Sequence, residues 1–244
     1  MRAFILAAGF GTRLKPLTDS VPKALIPVCG EPLLAHNLRI LYNSGIFSAI
    51  GVNSHYLHEQ MVRFQKDSPI PFELFYEEGK IRGTGGALDF AREFLAGDDT
   101  FLIANVDIIH KFDLRELSSR FINSGRICSL VSIPIENNGT VFYDNVSGDF
   151  LGVSADRDDF LRLGRKFSEA EFTGVAFYRR EFLDFVNSDD FSIIPVWKRA
   201  GGGGRVPSIL VPEKSASWWI DIGTHSALAE IESYVRDGKV DLWN

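Results

Sequence analysis

The residues most able to do chemistry begin at Leu6-Ala7-Ala8-Gly9-Phe10-Gly11-Thr12-Arg13-Leu14, a run of small residues that follows a short apolar stretch. Small side chains let backbone N–H groups approach an anion without Cβ obstruction. Beyond it, Arg13 and Lys23 flank a loop carrying Pro16, Pro22 and Pro27. Proline fixes φ, so the two cations sit on a stiffened segment that loses little entropy on gripping a polyphosphate. Arginine offers a planar fork and lysine a point charge. Taken singly, each cation reads as well as a solvated loop residue. Two common phosphate motifs are excluded: G-x-x-x-x-G-K-[ST] does not occur, and Leu14 fills the third glycine position of G-x-G-x-x-G.

Two acids complete the set. Asp107 follows the apolar run 100–104, and Asp221 follows Trp218-Trp219-Ile220. An aspartate after a strand, taken alone, reads as a turn or cap residue. Two that converge at strand ends form a hard-oxygen site suited to Mg²⁺, which keeps waters and takes phosphate oxygens as further ligands. His36, His55, His58, His110 and His225 show no metal-ligand spacing and receive no role. Trp218 and Trp219 point to opposite faces of a strand, so one belongs to the core and the other can edge a sugar pocket.

The elements that must hold these groups follow from periodicity. Segments 3–7, 49–53, 72–76 and 100–104 read as strands, and 33–43, 57–65 and 85–95 carry apolar residues three and four apart, as helices do. That alternation predicts an α/β fold with a mostly parallel sheet covered on both faces, and the glycine turn then leaves the carboxyl end of the first strand, where ligands bind. From about position 127 shorter strands follow, with Asn137-Asn138-Gly139 and Ser147-Gly148-Asp149 as hairpin connections, predicting a smaller mixed or antiparallel part. Gly201 to Gly204 reads as a mobile surface loop, and 226–237 as a closing helix.

Composition sets the class. With 244 residues, 45% hydrophobic and 24% charged, the chain can bury a substantial core. A net charge of −6 argues against bulk nucleic-acid binding. Cys29 and Cys128 lack disulfide or metal spacing and read as small buried hydrophobes in a reducing compartment. The N-terminal apolar run is too short for a signal peptide, and no stretch reaches the roughly 20 residues that span a bilayer. A cytoplasmic protein without a membrane partner is expected.

Read together, L-A-A-G-F-G-T-R-L-K-P-L-T from Leu6 to Thr18 and P-K-A-L-I-P-V-C-G-E-P-L-L from Pro22 to Leu34 resemble the signature of the sugar-1-phosphate nucleotidyltransferases. Gly83-Thr84-Gly85-Gly86-Ala87 looks like that family's second nucleotide-binding turn, and Asn105-Val106-Asp107 like its metal-binding N-x-D. Phe172-Thr173-Gly174-Val175 and Trp219-Ile220-Asp221-Ile222-Gly223-Thr224 follow in family order. Within the family, the arrangement from Glu78 to Gly86 is most similar to the branch of N-acetylmuramate-1-phosphate uridylyltransferases and mannose-1-phosphate guanylyltransferases. The β-helical extension of several relatives is not expected. Val106 stands where many relatives carry glycine or alanine, and the sugar-side E-K-P motif is missing upstream of Phe172.

The resemblance implies one Rossmann-like nucleotidyltransferase domain over 1–244, with 1–110 mainly binding nucleotide, 111–225 mainly binding sugar and 226–244 as a C-terminal helix. It implies a Mg²⁺-dependent enzyme whose substrates are a nucleoside triphosphate and a sugar 1-phosphate, with UTP or GTP favoured. Arg13, Lys23, Asp107 and Asp221 are the expected catalytic residues, and the two aspartates the metal ligands. Leu6, Ala7, Ala8, Gly9, Gly11, Thr12, Arg13, Lys23, Glu78, Gly83 and Thr84 are expected at the nucleotide, and Asn105, Thr173 and Gly174 at the sugar. Two alternatives stand beside it: a catalytically silent regulatory homologue that binds nucleotide sugars, and a cytidylyltransferase acting on a phosphorylated alcohol such as phosphocholine. Retention of both cations and both aspartates argues against the first. The second calls for a pocket lined for a cationic head.

Overall fold

The computed structural model describes residues 1–202, 206–213 and 218–242. In chain order the first part comprises β1 (Arg2–Leu6), β2 (Pro27–Val28), β3 (Glu31–Pro32), α1 (Leu33–Ser44), β4 (Ala49–Ser54), α2 (His58–Asp67), β5 (Glu73–Tyr76), α3 (Gly83–Phe90), α4 (Arg92–Leu95), β6 (Thr100–Asn105) and β7 (Ile108–His110). The second comprises α5 (Leu114–Ser124), β8 (Cys128–Ile135), β9 (Val141–Tyr143), β10 (Phe150–Val153), α6 (Arg157–Arg162), β11 (Ser168–Arg179), α7 (Ile193–Gly201), β12 (Ser208–Leu210), β13 (Trp219–Asp221) and α8 (His225–Arg236).

The nine-stranded sheet runs β10-β9-β11-β6-β1-β4-β5, with β8 pairing β11 and β12 pairing β8. β1 is parallel to β4 and β6, and β4 to β5, which is the expected alternating half. β11 then runs antiparallel to β6, β8 and β9, so the mixed half is joined directly to the parallel one.

Strand alternation distributes β1 between two cores. Ala3 and Ile5 face a layer containing Leu34, Leu38 and Leu41 of α1, Met61 of α2 and Phe121 of α5. Phe4 faces the other side, among Leu88, Phe94, Val196 and Trp197 from α3, α4 and α7. Helices therefore cover both faces of the sheet. A side chain such as Phe4 or Phe121, fully removed from water, contributes about 1.5–3 kcal/mol.

Four expectations change in detail. The helix predicted over 85–95 is two helices, α3 beginning at Gly83 and α4 following a break at Ala91. The closing helix ends at Arg236, after which Val240 and Leu242 pack against the small cluster of Val28, Leu33, Ile109, Ile222 and Ile231. Gly201 ends α7 and Gly202 follows in a turn, while Gly203 and Gly204 lie outside the described residues. Cys128 is buried, but Cys29 is only partly so, at a left-handed φ of 49°. Burial raises both thiol pKa values, helped at Cys29 by the charge of Glu232. Among the described residues no helix is long and apolar enough to cross a membrane.

Candidate active site

The site lies beyond the carboxyl ends of β1, β4 and β6. A cleft of about 230 Å³ is lined by Leu6, Ala8 and Gly9, by Lys23, by Asn53, by Ile81, Gly83 and Thr84, and by Asn105, Val106 and Asp107. Seven residues named from sequence at the nucleotide or metal thus meet Asn105, named for the sugar, in one hollow. The loop after the turn is shaped by Gly11, whose φ is 62° and whose Cβ would come within 2.8 Å of Thr18 Cγ2 and 3.0 Å of Lys23 Cβ. The Thr18 hydroxyl donates to Gly11 O at 2.9 Å, and Leu14, fully buried, anchors the loop. Gly9 differs: a Cβ there would have nothing within 4 Å, so the fold itself does not require a glycine, and the space before it is open to a ligand.

The charged groups converge on Asp107. Lys23 Nζ hydrogen-bonds Asp107 Oδ2, and Arg13 Nη2 lies 3.9 Å from the same oxygen. Asp107 and Lys23 are largely buried, whereas Arg13 is 59% exposed and stands outside the residues that line the cleft. β13 pairs antiparallel with β7, placing Asp221 opposite Ile108, and Ile222 N donates to Asp107 O at 2.7 Å. The two aspartates, far apart in sequence, thereby share one end of a two-stranded ribbon. Asp221 Oδ1 accepts Gly223 N at 2.6 Å, and a Cβ on Gly223 would strike Arg13 Nη2 at 2.5 Å, so the arginine lies against this turn.

Two carboxylates at strand ends, with cations beside them, fit a hard divalent cation such as Mg²⁺. Among the described residues no three His, Cys, Asp or Glu side chains converge on one point. A metal held by Asp107 and Asp221 would take its other ligands from water and phosphate. The field at Asp221 also reaches Glu171 of β11: burial raises the Glu171 carboxyl pKa, hydrogen bonds from the Thr140 hydroxyl and amide oppose that, and the Asp221 charge raises it further.

Beneath the cleft, and sharing Leu6, Thr84 and Asn105 with it, an apolar hollow of about 60 Å³ is walled by Phe172, Gly174, Tyr178, Ile193 and Trp197. A register shift in the β11–β8 pairing between Phe172 and Val175 makes room for Gly174, where a Cβ would meet Ile108 and Asn105 at 2.7 and 3.0 Å. Phe172 and Trp197 pack edge to face at 5.3 Å.

Several named residues stand elsewhere. Thr173 is fully buried and donates to Val131 O at 2.8 Å, away from the hollow. Ala7 is buried behind the turn, Thr12 is exposed on the loop, and Glu78 is exposed outside the cleft lining. Its neighbour Glu77 is the acid turned inward, fully buried. Trp219 packs against the large core, and Trp218 lines a separate hollow with His110 and Lys111, so neither edges the cleft. Trp197, buried, is the tryptophan that lines the apolar hollow.

Sequence reading missed Asn53, Glu77, Ile81, Phe172 and Trp197. A signal existed for the first two, an asparagine at the end of an apolar strand and a second glutamate beside the one chosen. Gly83 and Gly85 are also explained differently from a phosphate turn. A Cβ on Gly83 would lie 2.2 Å from Phe191 O, and one on Gly85 would lie 2.8 Å from Ser192 O, so the start of α3 packs backbone to backbone against the entry to α7. Gly85 N donates to Phe191 O at 3.1 Å and Ile193 N to the Thr84 hydroxyl at 2.9 Å.

Residues 2–142 match the family model described as nucleotidyl transferase. The chain is 34% identical over 155 residues to the mannose-1-phosphate guanylyltransferase catalytic subunit beta of Xenopus tropicalis, covering 61% of the chain and 43% of that relative. The chain thus spans less than half the length of that relative. It is 29% identical over 245 residues to the N-acetylmuramate alpha-1-phosphate uridylyltransferase of Caulobacter vibrioides, covering 96% of the chain and 97% of the relative. In fold it is similar to HddC from Yersinia pseudotuberculosis, crystallised with GMP-PN, with a TM-score of 0.74, 20% identity, and coverage of 96% and 99% of the two chains.

Proposed function

The chain belongs to the nucleotidyl transferase family, and from that premise we propose that it joins a nucleoside triphosphate, UTP or GTP, to a sugar 1-phosphate, giving a nucleotide sugar and pyrophosphate. The observation that carries this reading is the convergence of Lys23, Arg13 and the Asp221 ribbon on Asp107 beside the open glycine turn. The names of the relatives support the class of substrates. We take 1–244 as a single nucleotidyltransferase domain, since strands from both halves share the nine-stranded sheet. A reducing cytoplasm suits its two free thiols.

In the proposed reaction an oxygen of the sugar phosphate bonds to the α-phosphorus as the bond from that phosphorus to the β-bridging oxygen breaks, and pyrophosphate leaves with the electron pair. Both reactants are anions, so positioning and charge neutralisation supply the acceleration and no protein nucleophile is needed. Mg²⁺ at Asp107 and Asp221 would supply positive charge to the phosphate oxygens. Lys23, held against Asp107 inside the cleft, bridges the reacting phosphates. Arg13, exposed at the edge, neutralises the β- and γ-phosphates as they depart. The base and ribose lie between Leu6–Gly9 and Ile81–Thr84, and the sugar faces Asn105, Gly174 and the wall of Phe172 and Trp197.

The experiment is pyrophosphate release with Mg²⁺, testing UTP, GTP, CTP and dTTP against a panel of sugar 1-phosphates, with Asp107→Asn/Asp221→Asn as control. Turnover with a UTP or GTP pair, abolished in the double variant, is expected. Silence with every pair, alongside retained nucleotide-sugar binding, would turn the reading into that of a sensor. Turnover with CTP and a phosphorylated alcohol alone would replace it.

A further inference from the structure

The two turns that face each other across the cleft are joined underneath by a short chain of buried hydrogen bonds. Asn53, at 2% exposure, accepts at Oδ1 from Ala7 N at 2.6 Å and Ala8 N at 3.2 Å. Its Nδ2 donates to Glu77 Oε1 at 2.7 Å, and Glu77 Oε2 accepts from Arg82 N at 2.7 Å. Glu77 is fully buried, and its own backbone N–H is tied to Ser54 O at 2.8 Å.

Donor and acceptor chemistry leaves the chain one arrangement. The amides of Ala7, Ala8 and Arg82 can only donate, so an acceptor must stand at each end. A carboxylate has no proton to offer, so Asn53 must turn its oxygen to the first turn and its nitrogen to Glu77. Burying a carboxylate costs several kcal/mol, and one N–H donor at each Glu77 oxygen offsets part of that. The bonds also remove the Ala7 and Ala8 amides from ligand binding. The free approach starts at Gly9, where a Cβ would touch nothing.

We propose that Asn53 and Glu77 are positioning residues that fix the separation of the two nucleotide-binding turns before ligand arrives, so that a nucleoside triphosphate meets a preformed slot. This rests on the reading of the cleft as a nucleotide site. Neither side chain is needed to touch the reacting atoms; each acts through the backbone it holds. The cleft is then wide enough for the nucleoside only while the register from Ala8 through Asn53 and Glu77 to Arg82 is intact, and preorganisation of this kind appears in affinity more than in the chemical step.

A reciprocal swap tests it. Glu77→Gln sets two donors against each other at Asn53 or Arg82, and Asn53→Asp sets two carboxylates together. In Asn53→Asp/Glu77→Gln the introduced aspartate accepts from Ala7, Ala8 and the introduced glutamine nitrogen, and the glutamine oxygen accepts from Arg82, so every bond is restored with the charge moved by one side chain. Each single variant is expected to raise the Kd for the nucleoside triphosphate, measured by calorimetry without sugar phosphate, by about tenfold, the equivalent of one mismatched buried hydrogen bond. Its KM should rise in step while kcat changes less, and the double variant should return to within about threefold of the wild type. Backbone hydrogen exchange should quicken together at Ala7, Ala8 and Arg82 in Glu77→Gln and return to the native rate in the double variant. A double variant that folds but stays as weak as the singles would overturn the proposal, as would singles that lose thermal stability with an unchanged Kd. A wild type that binds nucleotide but turns over with no sugar phosphate would sink the proposed reaction while leaving this clamp standing. Failure of the exchange pattern sinks the clamp alone.

Discussion

The two walls of the cleft are built in different ways. On the wall we assign to the nucleotide, consecutive residues do most of the work: a parallel strand ends, a turn of small residues follows, and Leu14 and Gly11 fold the loop so that Lys23 returns to the cleft. On the wall we assign to the sugar, the lining is assembled from distant segments, a bulge in β11, Asn105 at the end of β6 and Trp197 of α7. A wall made of local chain carries its plan in a motif, whereas a wall made by packing carries it in shape. The first should therefore break through loss of single charges, and the second through loss of volume.

The largest expected effect is on the charged side. Lys23→Ala should lower kcat by about 10²–10³ while the KM values move little, because a positioned charge counts most as negative charge builds. Steady-state pyrophosphate release reads this directly, and a normal kcat with only a raised KM would remove Lys23 from the chemical step.

Backbone packing comes next. Gly83→Ala must place a Cβ 2.2 Å from Phe191 O, at a φ of 71°, and should cost about 1–3 kcal/mol in urea unfolding. Gly9→Ala should leave stability nearly unchanged and weaken nucleotide binding instead. Equal stability losses at both positions would erase the distinction between a glycine required by the fold and one left open for a ligand.

The packed wall should respond more gently. Phe172→Leu removes an edge-to-face partner of Trp197, worth about 0.5–1.5 kcal/mol. The KM for the sugar phosphate should rise by about 2–10-fold, with the KM for the nucleotide unchanged. A rise in both would mean that the two walls are not separable.

The smallest effect at neutral pH lies on the ribbon of β7 and β13, beside the proposed metal site. Burial pushes His110 down to about 3 from its ordinary 6.5. Below pH 6.5 the unfolded chain binds the proton more readily than the folded one, so stability is lost as pH falls from 6.5 towards 3, at up to about 1.4 kcal/mol per pH unit. Melting temperatures of the wild type and His110→Gln across that window should converge towards acid. A constant gap would show that the histidine does not titrate with unfolding.

Legibility followed the same divide. The early strands and helices could be read to within a residue or two, because apolar periodicity of two and of three to four is imposed by the sheet and its covering helices. Arg13, Lys23, Asp107 and Asp221, which the structure brings to one place, each stand in a linear motif that singles them out in the sequence. Glu77 was only half legible: two adjacent glutamates after β5 point to an acid here, but the path of the chain leaving the strand decides that the first is buried and the second exposed. Thr173 turns away from the hollow for the related reason that the bulge before Val175 changes which side chains share a face. Trp197 lay outside any pattern, since its distance from Phe172 is set by how α7 docks on the sheet.

The most direct test follows two labels. Nucleoside triphosphate labelled at the α- or γ-phosphate is incubated with Mg²⁺, the sugar 1-phosphate and either the wild type or Lys23→Ala. Transfer of the α label into the nucleotide sugar, release of the γ label as pyrophosphate, and collapse of both in the variant are the predicted result. Appearance of the γ label on the sugar, or its release as orthophosphate, would contradict attack at the α-phosphorus and with it the assignment of the cleft.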